Sequence, residues 1–411
     1  MKIFLGLTNI ASQLPLFAKG FNALGIETIV ATSYKGKFTN ETGVDVNLDD
    51  LPGVNFRYLR PRSFQHYLNM KFGKKGNFYR HVAEECDIFF FMWNSFHLDH
   101  ADLKELKDAG KKIIVFHVGD DVRWKSSMTQ EFQAYQFNPI EYPSTNKWGD
   151  QELNTKLEWL RKTEKYADLL YSAPNQAQLG LRPYYTAFVP IDLEYYTFST
   201  NQRQNNPVVI HAPSLSSFKG TDKILKIVGK LKKTGLEFEF KLIQNLKHAE
   251  AINAYREADI IIDQILCPGG GKLSREGMAL GRVVLSLMSG VKGYDQGIIN
   301  EAPIVDVNED TLFEELKKVI QDPERRRILG KQGREYVENY HDNNQICKNI
   351  ITRLSADTVK DFDFKPLFFR EEFVPESKKH TKVYNQWTKY VKECSWYHNF
   401  IPPGKRNGLE F

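Results

Sequence analysis

Cysteine is scarce in this sequence, and the few cysteines present are widely separated. Cys86, Cys267, Cys347 and Cys394 form no CxxC pair. This spacing excludes the usual zinc-binding motifs. Scattered cysteines are typical of a protein from a reducing compartment. We therefore expect no metal and no disulfide framework.

Long apolar runs and an excess of one charge are also missing. No stretch of about 18 apolar residues exists, so no membrane span is predicted. The N-terminal run IFLGL is interrupted by Thr8 and Asn9, which favours a buried strand over a signal peptide. A net charge of +5 is too small to indicate a nucleic-acid partner but suits an anionic small ligand or membrane surface. We expect a cytoplasmic protein, with peripheral contact at the inner face of a membrane left open.

The first half of the chain alternates strand and helix patterns. Ser12 is a candidate N-cap for the first helix, and Gly25 and Gly110 follow two of the helices. Continuous apolar strands between amphipathic helices indicate a parallel sheet covered on both faces. The predicted strands are 2–7, 26–32, 87–92, 112–117 and 168–172, and the predicted helices are 12–24, 98–109 and 151–167.

A second series of the same kind follows a polar segment that ends in Asn-Asn-Pro. Its predicted strands are 207–213, 238–244, 259–266 and 283–287, and its helices are 220–234, 248–257, 273–281, 310–321 and 323–339. The fold class is therefore α/β, with two doubly wound Rossmann-like domains facing a cleft. The predicted divisions are 1–192, a linker 193–207, a second domain 208–355 and a tail 356–411. Ligands of such sheets bind at the carboxyl ends of the strands.

The strongest motif is CPGGGKLSREGMALGRVVLSL at 267–287, in which three glycines connect a buried strand to a helix. Glycine allows backbone N–H groups to approach a phosphate, and the start of a helix favours an anion. Glu276, in the first turns of that helix, is suited to accept the hydroxyls of a ribose. The alternative is an ordinary glycine-rich turn before a capped helix.

A second motif, HAPSLSSFKGTDKI at 211–224, places Lys219 where a helix begins after a strand. A lysine there can hold a diphosphate as a point charge. The alternative is an exposed lysine without a ligand.

The order HAPS…KGT, then ADIIIDQIL…GGG…EGMALGRVV, resembles the donor domain of the GT-B glycosyltransferases. It is most similar to family 4, the retaining enzymes that use nucleotide-diphosphate sugars. The resemblance covers about residues 1–355 and is specific over about 207–290. It implies that Lys219 grips the diphosphate, and that Glu276, as the second Glu of an E-x7-E motif, binds the ribose. The predicted donor-binding set is Lys219, Gln244, Gly269, Gly270, Gly271, Lys272, Ser274, Arg275 and Glu276.

Two departures from that family pattern bear on the chemistry. Pro268 stands where the first Glu of E-x7-E is expected, and the arginine expected before Lys219 is replaced by residues such as Pro213 and Ser214. Lys272 or Arg275 is the predicted substitute for the missing arginine. In the region that holds the base, we expect Gln244 or Asn245 close to the ligand without a side-chain role.

The first domain offers HVGDDVRW at 117–124 and WNSFH at 93–97, both directly after strands. By resemblance, His117 hydrogen-bonds the donor hexose near the reacting centre. The predicted catalytic residues are His117, Asp120 and Lys219, and the predicted acceptor-binding residues are Trp93, Asn94 and Arg123. The alternative is a structural histidine, with Asp120 and Asp121 capping a helix near Val122.

The implied reaction is hexosyl transfer from a nucleotide-diphosphate sugar, with UDP favoured, to a saccharide or lipid-linked glycan, as in surface polysaccharide biosynthesis. Retention, no metal and no cofactor are expected. The alternatives are a nucleotide-sugar epimerase and a non-catalytic nucleotide- or sugar-binding scaffold. The aromatic and basic tail is expected to pack on the first domain, or else to form an interfacial surface.

Overall fold

In the computed structural model, the described residues form two compact units. They are residues 1–33, 42–53, 62–119, 121–123, 153–182, 184–199, 203–246, 248–288, 299, 301–356, 363 and 385. The first unit holds the described residues up to 187 and those from 347 onward, and the second holds 188–346. Asp120, predicted as catalytic, and nearly all of the tail after 356 lie outside the described residues.

The first unit is built on a parallel sheet. Its elements are β1 Lys2–Leu7, α1 Gln13–Ala23, β2 Glu27–Thr32, β3 Val46–Asn47, α2 Arg62–Phe72, α3 Lys74–Glu85, β4 Ile88–Met92, α4 Asp102–Asp108, β5 Lys112–Phe116, α5 Leu153–Tyr166, β6 Leu169–Ser172 and β7 Tyr185–Thr186. The strand order is β3-β2-β1-β4-β5-β6-β7. The order reverses direction between β1 and β4, and a crevice forms at such a reversal.

The core of the first unit is rich in phenylalanine because β1 and β4 are buried on both faces. Phe4 on β1 packs against Phe89 at 5.6 Å and Phe91 at 6.0 Å between ring centroids on β4. On the other face, Phe17 of α1 packs against Phe90 at 4.7 Å. Edge and tilted ring contacts of this kind add to the free energy of area burial.

The second unit has a smaller parallel sheet of the order β12-β11-β10-β8-β9. Its elements are β8 Val208–His211, α6 Ser216–Lys219, α7 Thr221–Lys232, β9 Glu239–Leu242, α8 His248–Glu257, β10 Ile260–Ile262, α9 Lys272–Ala279, β11 Val283–Ser286, β12 Val305–Asp306, α10 Leu312–Gln321, α11 Pro323–Tyr340 and α12 Asn343–Leu354, the last divided between the units. The reversal lies between β8 and β10. Its fully buried strands β8, β10 and β11 are aliphatic, for example Ile260–Ile262, and carry no phenylalanine.

The predicted fold class is confirmed. The predicted strands are present in the two sheets, but β3, β7 and β12 were not predicted. Ser12 is not the side-chain cap of α1. Instead, Asn9 Oδ1 accepts a hydrogen bond from Leu14 N at 3.1 Å. Ser12 has a left-handed backbone with φ of 57°, so its hydroxyl is not placed as a usual N-cap. The sequence reading also missed α2, α3 and α12.

Candidate functional site

The glycine turn of the second unit lies between β10 and α9, beside the reversal of the sheet. Gly269 and Gly270 have φ values of 107° and 61°, which side chains rarely tolerate. At Gly271, an added Cβ would lie 2.8 Å from Lys219 Nζ. Two of the turn's N–H groups are already used inside the protein, because Gly269 N donates to Leu287 O and Gly271 N donates to Asp263 Oδ2.

Asp263, which directly follows β10, organises this turn. Its carboxylate is fully buried and accepts from Ser274 Oγ at 2.6 Å and Gly271 N at 2.5 Å, and it pairs with Lys219 Nζ at 2.7 Å. Burial alone raises the pKa of Asp263, but Lys219 and the two hydrogen-bond donors together hold that pKa below its usual range. The group is therefore ionised and joins β10, α6 and α9 through one carboxylate.

Lys219 is less available to a ligand than the motif suggests. The residue is 8% exposed, and its ammonium donates to Asp263 and to Gln264 Oε1 at 2.5 Å. An ammonium has three hydrogens, so one donor position is left after these two contacts. The lysine thus stabilises the glycine turn through Asp263, which also accepts a hydrogen bond from Gly271 N.

Glu276 on α9 is held at a single oxygen by two hydrogen-bond donors and a nearby ammonium. Its Oε1 accepts from Tyr196 OH at 2.7 Å and His248 Nε2 at 2.8 Å, and lies 3.6 Å from Lys272 Nζ. Among the described residues no donor contacts Oε2. Burial raises the pKa of Glu276, but His248, Lys272 and Tyr196 outweigh it and lower that pKa. A buried, ionised carboxylate therefore keeps one oxygen open to an outside donor.

The remaining predicted donor side chains make hydrogen bonds inside the protein. Arg275 is 8% exposed and donates through Nη1 to Gly269 O at 3.0 Å, so it fixes the turn from within. Burial lowers the pKa of Arg275. The Ser274 hydroxyl is bound to Asp263, and Gln244 Nε2 donates to Ser216 Oγ at 3.0 Å in an exposed position. Of the predicted donor set, Arg275 and Ser274 therefore hold the turn through internal contacts, whereas Gln244 contacts α6.

In the first unit, His117 follows β5 and is 3% exposed. Its Nδ1–H donates to Asp121 Oδ2 at 2.7 Å, and Asp121 Oδ1 accepts from Gly119 N at 2.9 Å. His117 Nε2 has no partner among the described residues. The carboxylate thus fixes the orientation of the ring and leaves Nε2 to meet a ligand.

A cavity inside the first unit has His117 among its lining residues. It is lined by Trp93, Asn94, His100, His117, Asp121, Thr155, Lys156, Trp159, Leu160 and Thr163. Trp93 has a left-handed backbone with φ of 69°, a strained position for an aromatic residue. Arg123 does not line this cavity, although its backbone oxygen accepts from Lys156 Nζ at 3.3 Å. The predicted Trp93, Asn94 and His117 are therefore brought together.

His100 is a cavity residue that the sequence reading missed. Its ring stacks on Trp159 at 5.6 Å between centroids and is close to parallel to it. Burial, with repulsion from His117, lowers the pKa of His100 to about 4, so the ring is neutral near pH 7. The cavity wall is therefore aromatic and uncharged on this side.

Asp263, Gln264, Tyr196 and His248 were missed for identifiable reasons. The predicted strand 259–266 included Asp263 and Gln264, whereas β10 ends at Ile262. Tyr196 lies in the polar segment 193–207, where no periodicity marks a buried residue. A charged residue that ends an apolar run next to a glycine turn was the available signal for Asp263.

A metal-binding cluster and a membrane-spanning helix are both absent from the described residues. No group of three metal-ligating side chains comes together there. None of the helices described is both long and apolar enough to cross a bilayer.

No protein-family model matches this sequence, and no match is found among curated proteins. The fold is nevertheless similar to solved structures. Sucrose-phosphate synthase from Thermosynechococcus elongatus matches with a TM-score of 0.57 and 14% identity, over 86% of this chain and 98% of that one. Alr3699/HepE of Anabaena, in complex with UDP-glucose, matches with a TM-score of 0.51 and 14% identity, over 85% of this chain and 99% of that one.

A third structure, apo OtsA, matches with a TM-score of 0.52 and 11% identity, over 87% of this chain and 99% of that one. At such identities the likeness establishes a shared two-domain fold and leaves the activity to the residues of the site.

Proposed function

We propose that this protein is a glycosyltransferase that takes a sugar from a nucleotide-diphosphate donor, with UDP favoured. The carrying observation is the buried carboxylate of Glu276, whose Oε1 has three donor neighbours while Oε2 has none among the described residues. A ribose hydroxyl is a donor of the right size for that oxygen. The shared fold of a structure with bound UDP-glucose supports the same reading.

The diphosphate would lie at the start of α9. Because Gly269 N and Gly271 N already donate within the protein, we assign this task to the N–H groups of Gly270 and Leu273 with the Lys272 ammonium. The first N–H groups of a helix have no partner within the helix and favour an anion. Lys219 contributes its remaining donor and holds the turn in place. These groups stabilise the negative charge of the leaving diphosphate.

The cavity of the first unit would take the sugar acceptor. Trp93 offers an apolar ring face, while Asn94 and His117 Nε2 offer hydrogen-bonding atoms for hydroxyl groups. The aspartate paired with His117 is Asp121. The role predicted for Asp120 stays a prediction, as does the contact of Arg123 with the acceptor.

Retention of the anomeric configuration is the stereochemistry that we propose. Pro268 removes the carboxylate expected near the transferred sugar. A front-face transfer, in which the leaving diphosphate accepts the acceptor proton, needs no such carboxylate. A β-linked product from an α-linked donor would contradict this proposal.

A non-catalytic scaffold is the second candidate, because Pro268 replaces a carboxylate and Lys219 is engaged by Asp263 and Gln264. Such a protein would bind a nucleotide and neither transfer nor hydrolyse the donor. Donor consumption measured by mass spectrometry separates the two candidates.

The first test is a thermal-shift panel of UDP, GDP, dTDP and ADP on the wild type and Glu276→Gln. A ligand at 100-fold its Kd stabilises the folded state by about 2.7 kcal/mol. We expect one nucleotide to raise the melting temperature, and the variant to lose that shift. The control Glu335→Gln changes an exposed glutamate of α11 and should keep the shift. Absence of any shift in the wild type would contradict the donor site.

A further inference from the structure

The outward face of α2 is unusually aromatic. Phe64, Tyr67 and Phe72 are 43%, 49% and 63% exposed. Residues three, four, seven and eight apart share a helix face, so these side chains form one surface with Lys71. Met70 on the opposite side is buried in the core. We call Phe64, Tyr67, Lys71 and Phe72 the α2 face.

The members of the α2 face contact one another rather than the core. The rings of Phe64 and Tyr67 are stacked with centroids 6.3 Å apart. Lys71 Nζ lies 5.7 Å from the centre of the Tyr67 ring and 5.4 Å from that of Phe72. The surface is thus a patch of ring faces with an ammonium at its edge, which is the amphipathic pattern found at lipid headgroups.

The sequence that contains α2 carries charge of one sign. From residue 51 to residue 83 the sequence contains no Asp or Glu. It contains seven basic residues, namely Arg57, Arg60, Arg62, Lys71, Lys74, Lys75 and Arg80. Lys71 and Lys74 are exposed, whereas Lys75 pairs with Asp49 at 2.8 Å. A partner with dispersed negative charge therefore complements this region.

A second basic helix allows a comparison. α7 carries Lys223, Lys226, Lys230 and Lys232, but its one large exposed apolar side chain is Leu225 at 38%, and Asp222 lies in its first turn. Basic charge alone is therefore not distinctive in this chain. The combination of charge with exposed aromatic rings occurs at α2.

The α2 face is connected to the loop of the candidate acceptor cavity. His66 Nε2 on α2 donates to Phe96 O at 3.1 Å. Phe96 belongs to the loop after β4 that also carries Trp93 and Asn94. A surface that binds lipid headgroups through α2 would therefore lie beside the loop that lines the cavity.

We propose that the α2 face docks on an anionic lipid surface. The aromatic rings enter the headgroup region, and the basic residues attract the negative headgroups. This inference does not rest on the proposed function, because vesicle binding is measured without donor or acceptor.

The test is flotation of the full chain with phosphatidylcholine vesicles, with and without phosphatidylglycerol. The wild type should float only with phosphatidylglycerol. Each basic residue near such a surface contributes roughly fivefold to the partition coefficient, so K71E/K74E, which removes two positive charges and adds two negative ones, should lower it by at least about 30-fold. F64S/F72S should also lower binding to the vesicles. Any binding that this variant keeps should be lost at a lower salt concentration than the binding of the wild type.

The matched control is K226E/K230E on α7, which makes the same change in charge on exposed lysines. It should float as the wild type does, and all variants should keep the wild-type melting temperature. Equal loss in the control would mean general charge attraction and overturn the assignment to α2. Failure of the wild type to bind, or retention of binding by F64S/F72S, would overturn the proposal as well.

Discussion

The two sheet reversals share a topology but differ in chemistry. In the second unit, the buried Asp263 is compensated by Lys219, and the buried Glu276 by His248 and Lys272. In the first unit, the cavity is lined by the neutral ring of His100, the indoles of Trp93 and Trp159, the acidic and basic side chains of Asp121 and Lys156, and His117, whose Nε2 has no partner among the described residues. The strand ends at the two reversals therefore carry different sets of charged and aromatic side chains.

The largest expected effect is on the charge network of the second unit. Asp263→Asn leaves the Lys219 ammonium buried without its counter-charge. Breaking a buried pair of this kind costs about 3–5 kcal/mol in the free energy of unfolding. Urea unfolding measures this loss of stability. The control is the exposed pair Lys223–Glu309. Glu309→Gln should lower the free energy of unfolding by less than about 1 kcal/mol.

The pH dependence of the same variant has a definite sign. The pKa of Asp263 is lowered in the folded state, so its contribution is present above the unfolded pKa and lost as pH falls through the folded value. The gap in stability between wild type and Asp263→Asn should therefore narrow only below about pH 4. A gap that is already closed at pH 6 would show that the pair is not ionised.

The second effect is on turnover, and it should distinguish the role of the first unit in transfer from that of the second unit in nucleotide binding. Asp121→Asn removes the carboxylate charge and leaves one acceptor oxygen where Asp121 uses two, for His117 Nδ1–H and Gly119 N–H, so the orientation and tautomer of the ring are no longer fixed. We expect transfer to fall about 10²-fold, as for loss of a positioned catalytic group, while the Kd for the nucleotide stays unchanged. Asp99→Asn, at an exposed aspartate of the same unit, is the control. A changed nucleotide Kd would contradict the division of roles.

The third effect is on acid stability. Burial lowers the pKa of His100 to about 4, so the unfolded chain binds the extra proton between about pH 6.5 and 4. Stability should therefore fall on acidification across that window, by roughly 2 kcal/mol between pH 6.5 and 5. His100→Gln should flatten this part of the curve in urea titrations. An unchanged slope would mean that the ring is not buried in solution.

The fourth effect is on ribose recognition. Tyr196→Phe removes one donor from Glu276 Oε1, so the carboxylate is held less firmly. We expect the preference for UDP over its 2′,3′-dideoxy analogue to fall roughly tenfold, the value of a hydrogen bond to a charged group. Tyr195→Phe, at a neighbouring tyrosine whose ring packs on Arg256, is the control. Calorimetry measures both ratios, and an unchanged preference in Tyr196→Phe would dismiss the positioning role.

The smallest effect is expected at another buried tyrosine of the second unit. The hydroxyl of Tyr336 has no partner among the described residues. Tyr336→Phe should therefore change the free energy of unfolding by less than about 0.5 kcal/mol or raise it slightly, because no hydrogen bond is lost. A large destabilisation in urea would reveal a contact that this hydroxyl makes in solution.

The local sequence predicted the architecture because strand and helix periodicities are short-range properties. The runs at Ile88–Met92 and Val283–Ser286, and the glycine turn before α9, could be identified from neighbouring residues alone. α2 and α3 were not identified, because exposed aromatic residues on α2 obscure the amphipathic pattern that predicts a helix.

What the sequence determined by itself was the pair of α/β domains and the turn that presents Glu276. Only the tertiary structure decided which charges meet. Tyr196 and Glu276 are 80 residues apart, and Lys219 and Asp263 are 44 apart. Lys219 and Asp263 come together because parallel strands bring distant strand ends to one edge of a sheet. Tyr196 instead reaches Glu276 from the segment that precedes β8. The same long-range packing occupies Lys219 internally and leaves an oxygen of Glu276 open.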